Sequence, residues 1–285
     1  MATKVWDSVS GNWNDAGSWD PAGVPVSDDE VIFPASATVA PTMGLDQSSV
    51  DLDVLRTEPG FVLNVGSAGM HLSIAADLIV HQGSGTLWHR SNSSSSHTDQ
   101  LVIDSPNWDN ACTIGRVSGS ASLQHYNQLT ILRGKLIALG GVDIPYITDL
   151  EMAYRTSLLA DAIADFSAGA RVSSLRINAG IAYINNTFPS FIIDQADGRI
   201  QFTEDNAVKV NSIRQAGGVL DMRGYPSSGT DLATTVVLMG GIQTWLNDPR
   251  PKSINSLLVM PGSTLLLPDT VTVTSGGSMV TPPII

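Results

Sequence analysis

Hydrophobic residues in the C-terminal half of the chain follow one short pattern that returns several times. An alternating apolar–x–apolar run leads through a few turn residues into a glycine, and a second apolar–x–apolar run follows. The copies are centred on Gly134, Gly180, Gly198, Gly218, Gly241 and Gly262. From Gly180 onward the glycines are 18, 20, 23 and 21 residues apart. A period of about 20 residues, built from short strands and glycine turns, is typical of a solenoid.

The alternation inside each run predicts which side chains face the interior. In the copy around Gly198, Ile200 and Phe202 are expected to point inward, and Arg199 and Gln201 outward. One turn cannot bury its apolar face alone, but turns stacked at the strand spacing of about 4.8 Å form a continuous interior column. The pattern therefore predicts an all-β fold, a single-stranded parallel β-helix.

The first half of the chain has less regular spacing, but strands again dominate. Apolar and β-branched runs predict strands at residues 61–65, 70–74, 78–80 and 101–103. Continuous apolar triplets, such as residues 78–80 and 265–267, suit strands that are buried on both faces or paired in parallel.

One stretch admits two interpretations. Residues 150–166 are the best helix candidate, because several apolar side chains there could line one face. These are Met152, Leu158, Leu159, Ile163 and Phe166. However, Gly134 and Gly180 are 46 residues apart, about two periods, so a drifted copy of the repeat is also expected in this stretch.

Composition excludes several classes of protein. Charged residues make up only 15% of the 285 residues, and the net charge is −12. Phosphate recognition needs basic patches, so we expect no nucleic-acid partner. No window approaches the roughly 20 apolar residues of a membrane span, so we expect no membrane partner. The single cysteine, Cys112, excludes an internal disulfide framework and is interpreted as a small buried residue.

The N-terminus differs from everything after it. Trp6, Trp13 and Trp19 are half of the six tryptophans, and they fall within 14 residues among Gly, Asn, Asp and Pro. Such large flat side chains must lie on something apolar: they pack over the first turn of the solenoid, or they stack on sugar rings. We predict three regions: a Trp-rich arm or cap at residues 1–30, the β-helix at 31–277, and an apolar tail at 278–285.

This segment also resembles a known N-terminal pattern of β-helical repeats in bacterial surface proteins and phage structural proteins. The matching residues are Trp6, Gly11-Asn12-Trp13, Trp19, Gly23-Val24-Pro25 and Asp28-Asp29-Glu30-Val31-Ile32. The resemblance covers about a tenth of the chain and implies a right-handed parallel β-helix. In exported members a signal peptide precedes the pattern, whereas here it starts at residue 5. We therefore expect a phage-like protein that is made in the host cytoplasm and located in the virion.

Acidic residues show no catalytic arrangement. They occur as scattered pairs: Asp194 with Asp197, Glu204 with Asp205, and Asp161 with Asp165. Pectinases of β-helical fold combine Asn-Thr-Asp, Asp-Asp, His-Gly and Arg-x-Lys motifs. This chain has Asp28-Asp29 and isolated Arg-x-Lys triplets at residues 133–135 and 250–252, but neither Asn-Thr-Asp nor His-Gly. We interpret the acids as surface residues at turns, and predict no enzymatic activity, no catalytic residues and no cofactor.

The histidines are candidate metal ligands, but their spacing does not favour a site. His71, His81, His89 and His97 follow one another at steps of 10, 8 and 8 residues. A metal site needs converging ligands with supporting partners, and no Cys-x-x-Cys or His-x-x-x-His spacing is present. We predict no metal.

These observations predict a structural virion protein of a bacteriophage. The specific hypothesis is a capsid cement or decoration protein that stabilises the head by binding the major capsid protein lattice, or another virion protein, most simply as a homotrimer. The predicted interaction residues are Trp6, Trp13, Trp19, Pro282, Pro283, Ile284 and Ile285. The alternative is a tailspike- or tail-fibre-like protein that binds or cleaves host polysaccharide.

Overall fold

The fold is almost entirely β. The computed structural model describes residues 1–91, 98–106, 112–116, 126–140, 145–152, 162–186, 191–202, 210–222, 231–244, 252–266 and 271–274. The chain forms a parallel β-solenoid of about nine turns, which confirms the predicted fold class. Among the described residues the only helical element is a 3₁₀ turn, Ala16–Ser18, so none of them form a helix that could span a membrane.

The strands are β1 (Thr3–Trp6), β2 (Trp19–Asp20), β3 (Glu30–Phe33), β4 (Asp46–Thr57), β5 (Leu72–His81), β6 (Leu87–Ser91), β7 (Thr98–Asp104), β8 (Cys112–Arg116), β9 (Tyr126–Ala138), β10 (Tyr146–Met152), β11 (Ala162–Ile177), β12 (Ile181–Asn186), β13 (Phe191–Gln195), β14 (Arg199–Phe202), β15 (Val210–Gln215), β16 (Val219–Asp221), β17 (Asp231–Leu238), β18 (Ile242–Thr244), β19 (Lys252–Val259), β20 (Thr264–Leu266) and β21 (Val271–Val273).

The chain divides into two compact units. Unit 1 comprises Met1–Thr148 with Asp161–Ile163, and unit 2 comprises Asp149–Ala160 with Ala164–Ile285. The predicted region boundaries after residues 30 and 277 stay predictions.

Unit 1 is built on one long row of parallel strands. β3, β4, β5, β7 and β9 pair side by side, each with the next. Their register stacks Val31, Leu55, Ile79, Leu101 and Leu129 in one column, and all five are fully buried. A β-branched or γ-branched apolar side chain on every turn forms a continuous buried column, which is the packing that the alternating pattern predicts.

Unit 2 repeats the same principle more regularly. One row consists of β11, β13, β15, β17 and β19, and the other of β12, β14, β16, β18 and β20. The first row buries the column Leu175, Ile193, Ile213, Val236 and Leu257, each at most 1% exposed. Each turn of unit 2 is therefore a strand, a glycine corner and a second strand, as the repeated pattern predicts.

The glycine corners need glycine for two reasons. Gly180, Gly198, Gly218, Gly241 and Gly262 all have φ between 70° and 89°, a region that L side chains rarely adopt. At Gly218 a Cβ atom would also lie 2.2 Å from the carbonyl oxygen of Gly198 on the preceding turn. At Gly198, Gly218 and Gly241 the corners of successive turns stack so closely that a side chain has no room, whereas at Gly262 only the positive φ favours glycine.

One local prediction is wrong, and for one stretch the structure decides between two open interpretations. Residues 61–65 are not a strand: only Val65 forms an isolated bridge, to Leu87, and Val62 is 62% exposed. Residues 150–166 are strand wherever they are described, because β10 ends at Met152 and β11 begins at Ala162. The remainder of that helix candidate, residues 153–161, lies outside the described residues.

Candidate functional site

The three N-terminal tryptophans lie together at the start of unit 1. β1 pairs antiparallel with β2, which places Trp6 opposite Trp19, and it pairs in parallel with β3. Trp13 is fixed nearby because its backbone N–H donates to the carbonyl of Met43 at 2.9 Å. We call the cluster of Trp6, Trp13, Trp19, Phe33 and Phe61 the aromatic cap.

Trp19 is the centre of the aromatic cap. Its ring centroid lies 4.8 Å from that of Trp6, at an interplanar angle of 76°, and 4.8 Å from that of Trp13, at 70°. Phe33 lies 6.1 to 6.3 Å from all three indoles and 5.6 Å from Phe61. Edge-to-face contacts of this kind suit the aromatic quadrupoles. The three indoles are at most 2% exposed, so they cover the first turn, as the packing interpretation predicts.

The three indole N–H groups differ in their partners. Trp6 donates to the carbonyl of Val39, and Trp19 donates to the carbonyl of Trp13 at 2.8 Å. The Nε1 of Trp13 is buried and has no acceptor within the described part of the chain. A buried donor without an acceptor costs free energy, so Trp13 contributes through its ring alone.

The polar residues of the Trp-rich segment build its turns. Asp15 accepts a hydrogen bond from the Ser10 hydroxyl at 2.8 Å and another from the Gly17 backbone N–H at 3.0 Å. These bonds, that from Ser10 above all, hold the pKa of Asp15 below its ordinary value. Asp15 thereby caps the 3₁₀ turn that leads into β2.

The acidic pair of the segment also has a structural role. Asp29 is 4% exposed, and its carboxylate accepts from the backbone N–H of Ala2 at 2.8 Å and of Val26 at 3.1 Å. It therefore ties the start of β1 to the turn before β3.

The side-chain amide of Asn12 packs against Gly44. A Cβ atom added to Gly44 would lie 2.5 Å from the Oδ1 of Asn12, so this position has no room for a side chain.

The outer surface of this region is apolar at three neighbouring positions. The Gly11 carbonyl accepts from the backbone N–H of Met43 at 3.0 Å, and a Cβ on Gly11 would lie 3.9 Å from Val39. Val9, on the same segment as Gly11, is 66% exposed, Val39 41% and Met43 55%. We call Val9, Val39 and Met43 the cap patch. It lies on turns that the aromatic cap supports from beneath.

The predicted interaction residues therefore have different outcomes. Trp6, Trp13 and Trp19 are interior residues, and the role predicted for them in binding stays a prediction. Pro282, Pro283, Ile284 and Ile285 lie outside the described residues. The cap patch was missed because Val9, Val39 and Met43 are single apolar residues in turn-rich stretches, where no periodicity marks them.

Carboxylates line up on the outward face of unit 1. The register of β4 and β5 places Asp53 opposite Asp77, and Asp99 follows on β7. Asp99 accepts a hydrogen bond from Asn127 at 2.6 Å. Burial, followed by the negative charges of Asp51, Asp99, Asp53 and Asp28, raises the pKa of Asp77. Like charges stacked at the strand spacing repel one another, so this acidic row destabilises the solenoid locally.

Two histidines lie in the interior columns of unit 1. His81 contacts the Thr57 hydroxyl at 3.0 Å; because that oxygen accepts from two backbone N–H groups, its hydroxyl donates to His81 Nδ1. The Nε2 of His89 donates to the carbonyl of Ile74 at 3.0 Å, since a carbonyl can only accept. Burial lowers the pKa of both imidazoles to about 4. Both histidines are therefore neutral core residues.

The remaining candidate residues are the single cysteine and possible metal ligands. Cys112 is buried in the column between Leu87 and Leu136, and burial raises the pKa of its thiol. Within the described ranges, no group of three or more His, Cys, Asp or Glu side chains is arranged to hold a metal ion. No protein-family model matches the chain, and no curated protein or solved structure is significantly similar to it.

Proposed function

We propose that this chain is a structural virion protein of a bacteriophage, a decoration protein that binds the lattice of the major capsid protein and stabilises the head. The observation that carries the proposal is the N-terminal end of unit 1. There a buried aromatic cap supports a set of exposed apolar side chains on well-bonded turns. Rigid presentation of apolar side chains lowers the entropy lost on binding, which favours an interaction role.

The aromatic cap and the cap patch have different roles in the proposed binding. The indoles hold the turns in place, and Val9, Val39 and Met43 make the contact. Apolar side chains of this size each contribute on the order of 1 kcal/mol or more when an interface buries them. A shell presents the same partner surface many times, so several modest contacts on one lattice act at high effective concentration. A second anchor at residues 278–285 would strengthen attachment in the same way.

The acidic body suits this role. A net charge of −12 favours solubility and makes contact between charged faces unfavourable, which leaves the apolar patches as the points of attachment. Homotrimers on local three-fold positions of a shell are the assembly that we expect.

The test uses point variants, because deleting residues 1–20 would remove all three indoles from the core of unit 1. Met43→Asp and Val9→Asp place a charge on the cap patch without touching the aromatic cap. Val62→Asp is the matched control, since Val62 is equally exposed, at 62%, and is not part of the patch. Binding is measured by co-sedimentation with shells of the major capsid protein encoded in the same genome, and folding by thermal denaturation.

We expect the wild type and Val62→Asp to decorate shells and to raise the temperature at which they break. The two cap-patch variants should fold normally and bind about tenfold more weakly or worse, a loss of about 1.4 kcal/mol or more. The proposal is overturned if the wild type does not decorate shells, or if purified protein cleaves a host polysaccharide in a reducing-sugar assay. The cap patch and residues 278–285 are the proposed anchors. If both cap-patch variants and a chain that lacks residues 278–285 bind shells as well as the wild type does, these anchors are wrong.

A further inference from the structure

The outward face of unit 2 changes character along one row of strands. In successive turns the register places Arg176, Asp194 and Arg214 next to one another, and then Val237 and Leu258. The first three are charges of alternating sign, which is the expected composition of a solvated row. Val237 and Leu258 are apolar, although they occupy the same outward position in their strands as the three charged residues.

The apolar surface extends beyond this pair. Met239 and Met260 directly follow the ends of these strands, where Leu238 pairs with Val259, and the backbone N–H of Met260 donates to the carbonyl of Leu238 at 2.8 Å. Leu258 is 37% exposed and Met260 41% exposed. Val237, Met239, Leu258 and Met260 therefore form a two-by-two apolar block on adjacent strands.

The block continues across the glycine corner. In the second row of strands, Ile242 pairs with Thr264 and Thr244 pairs with Leu266, which makes Ile242 and Leu266 diagonal neighbours. Each is 43% exposed. Of the two alternatives that the sequence left open for residues 265–267, burial on both faces or parallel pairing, Leu266 shows parallel pairing with an exposed side chain. We call Val237, Met239, Ile242, Leu258, Met260 and Leu266 the unit 2 patch.

Arg214 borders the unit 2 patch at Val237, but the described neighbours along the patch's own strands are uncharged. Thr235 and Ser256 precede it on the first row of strands, and Thr244 and Thr264 lie within the second. The patch is thus an apolar centre with small neutral polar neighbours on both rows. This is the general anatomy of a protein interface, whose centre is depleted in charge. Contiguous exposed apolar side chains rimmed by polar residues are the kind of surface through which folded chains interact.

The absence of charge from the six residues of the unit 2 patch indicates which partner binds there. In a rotationally symmetric oligomer a residue near the axis meets a copy of itself, so a charged residue there meets a like charge. A row of Arg176, Asp194 and Arg214 would place like charges face to face, whereas Val237 and Leu258 would not. In a chain of net charge −12, the uncharged rows are where two copies approach at least electrostatic cost. We propose that the unit 2 patch is the surface through which this chain binds further copies of itself.

The test compares two substitutions of exposed apolar residues by arginine. Leu258→Arg puts a charge at the centre of the patch, in the row where Arg176 and Arg214 already occur, so the fold tolerates it. Ile192→Arg is the matched control: Ile192 is 47% exposed, but its row neighbours are Ser174 and Ser212. Light scattering and sedimentation velocity at micromolar concentration give the oligomeric state, and circular dichroism and thermal denaturation give the folding state.

We expect the wild type and Ile192→Arg to be homo-oligomers and Leu258→Arg to be a folded monomer, or to dissociate at least about tenfold more readily. If Leu258→Arg proves unfolded, the same comparison is made with Met260→Gln. A monomeric wild type overturns the proposal, as does a folded Leu258→Arg variant that assembles like the wild type. Equal loss of assembly in Ile192→Arg and Leu258→Arg also overturns it, because the contact would then not be specific to the patch. None of these outcomes depends on whether the protein decorates shells.

Discussion

His89 and Tyr126 are 37 residues apart in the chain but share a buried hydrogen bond of 2.9 Å inside unit 1. Because Nε2 of His89 donates to a carbonyl, its Nδ1 is the acceptor of the tyrosine hydroxyl proton. Protonation of Nδ1 would reverse this bond and leave a charge in a solvent-free interior. The arrangement is therefore stable only while the imidazole is neutral.

We predict that unit 1 loses stability in mild acid. His81 and His89 have folded-state pKa values of about 4, below the ordinary 6.5. The unfolded chain therefore binds protons first, so the stability is present above 6.5 and lost as the pH falls toward 4. Each imidazole contributes a loss on the order of 3 kcal/mol over that range. Denaturant unfolding at a series of pH values measures this loss.

His89→Gln is the control for the acid prediction. Glutamine keeps a donor and an acceptor near Ile74 and Tyr126 but cannot take up a proton. The variant should be less stable than the wild type at neutral pH and should show a shallower decline between pH 6.5 and about 4, the interval set by the two pKa values. Parallel stability curves for the two proteins would show that His89 is not a source of the pH dependence.

The aromatic cap should respond unequally to two similar substitutions. Trp19→Phe removes volume and also the hydrogen bond to the Trp13 carbonyl, so we expect a loss of about 2 to 4 kcal/mol. Trp13→Phe removes similar volume but also removes a buried N–H that has no acceptor in the described structure, so we expect a loss of about 1 kcal/mol or less. Thermal and denaturant unfolding give both values. Equal losses would mean that the Trp13 N–H is satisfied in solution.

Ile200 and Arg199 test the inward–outward register of unit 2. Ile200 is fully buried, so Ile200→Asp places an unpaired charge in the core and should cost several kcal/mol, enough to unfold unit 2. Arg199 is exposed, but its partner at 3.5 Å, the carboxylate of Asp221, is buried, so Arg199→Ala should cost about 1 to 2 kcal/mol, well below the cost of Ile200→Asp. Unfolding of the two variants in urea compares them. Similar losses of stability in the two variants would show that the inward–outward assignment of β14 is wrong.

Asp77→Asn should leave the protein as stable as the wild type, or slightly more stable, at neutral pH. Burial, and after it the neighbouring carboxylates, raise the pKa of Asp77, so its charged form is disfavoured and costs stability above that pKa. The side chain is exposed, so we expect a gain of no more than about 0.5 kcal/mol. Because salt screens exposed charges, the difference should shrink as ionic strength rises. Asn127→Asp, which extends the row, should have the opposite sign.

The sequence by itself determined the repeat, its period and the inward face of most strands in unit 2. The reason is that each of these is a local property. Alternation with period two assigns Ile200 inward and Arg199 outward, whatever lies on the next turn. Gly218 is needed for its positive φ, so it marks a corner in the sequence.

Tertiary structure decided which residues of different turns meet. Turns of unequal length, 18 to 23 residues between corner glycines, set the lateral register, and the local pattern does not contain this information. It is the register that places Asp53 opposite Asp77 and Val237 beside Leu258. Isolated apolar residues such as Val9 and Met43 become a surface only when two turn segments pack side by side. Local propensity determines the strands and corners, and the stacking of turns determines the sites.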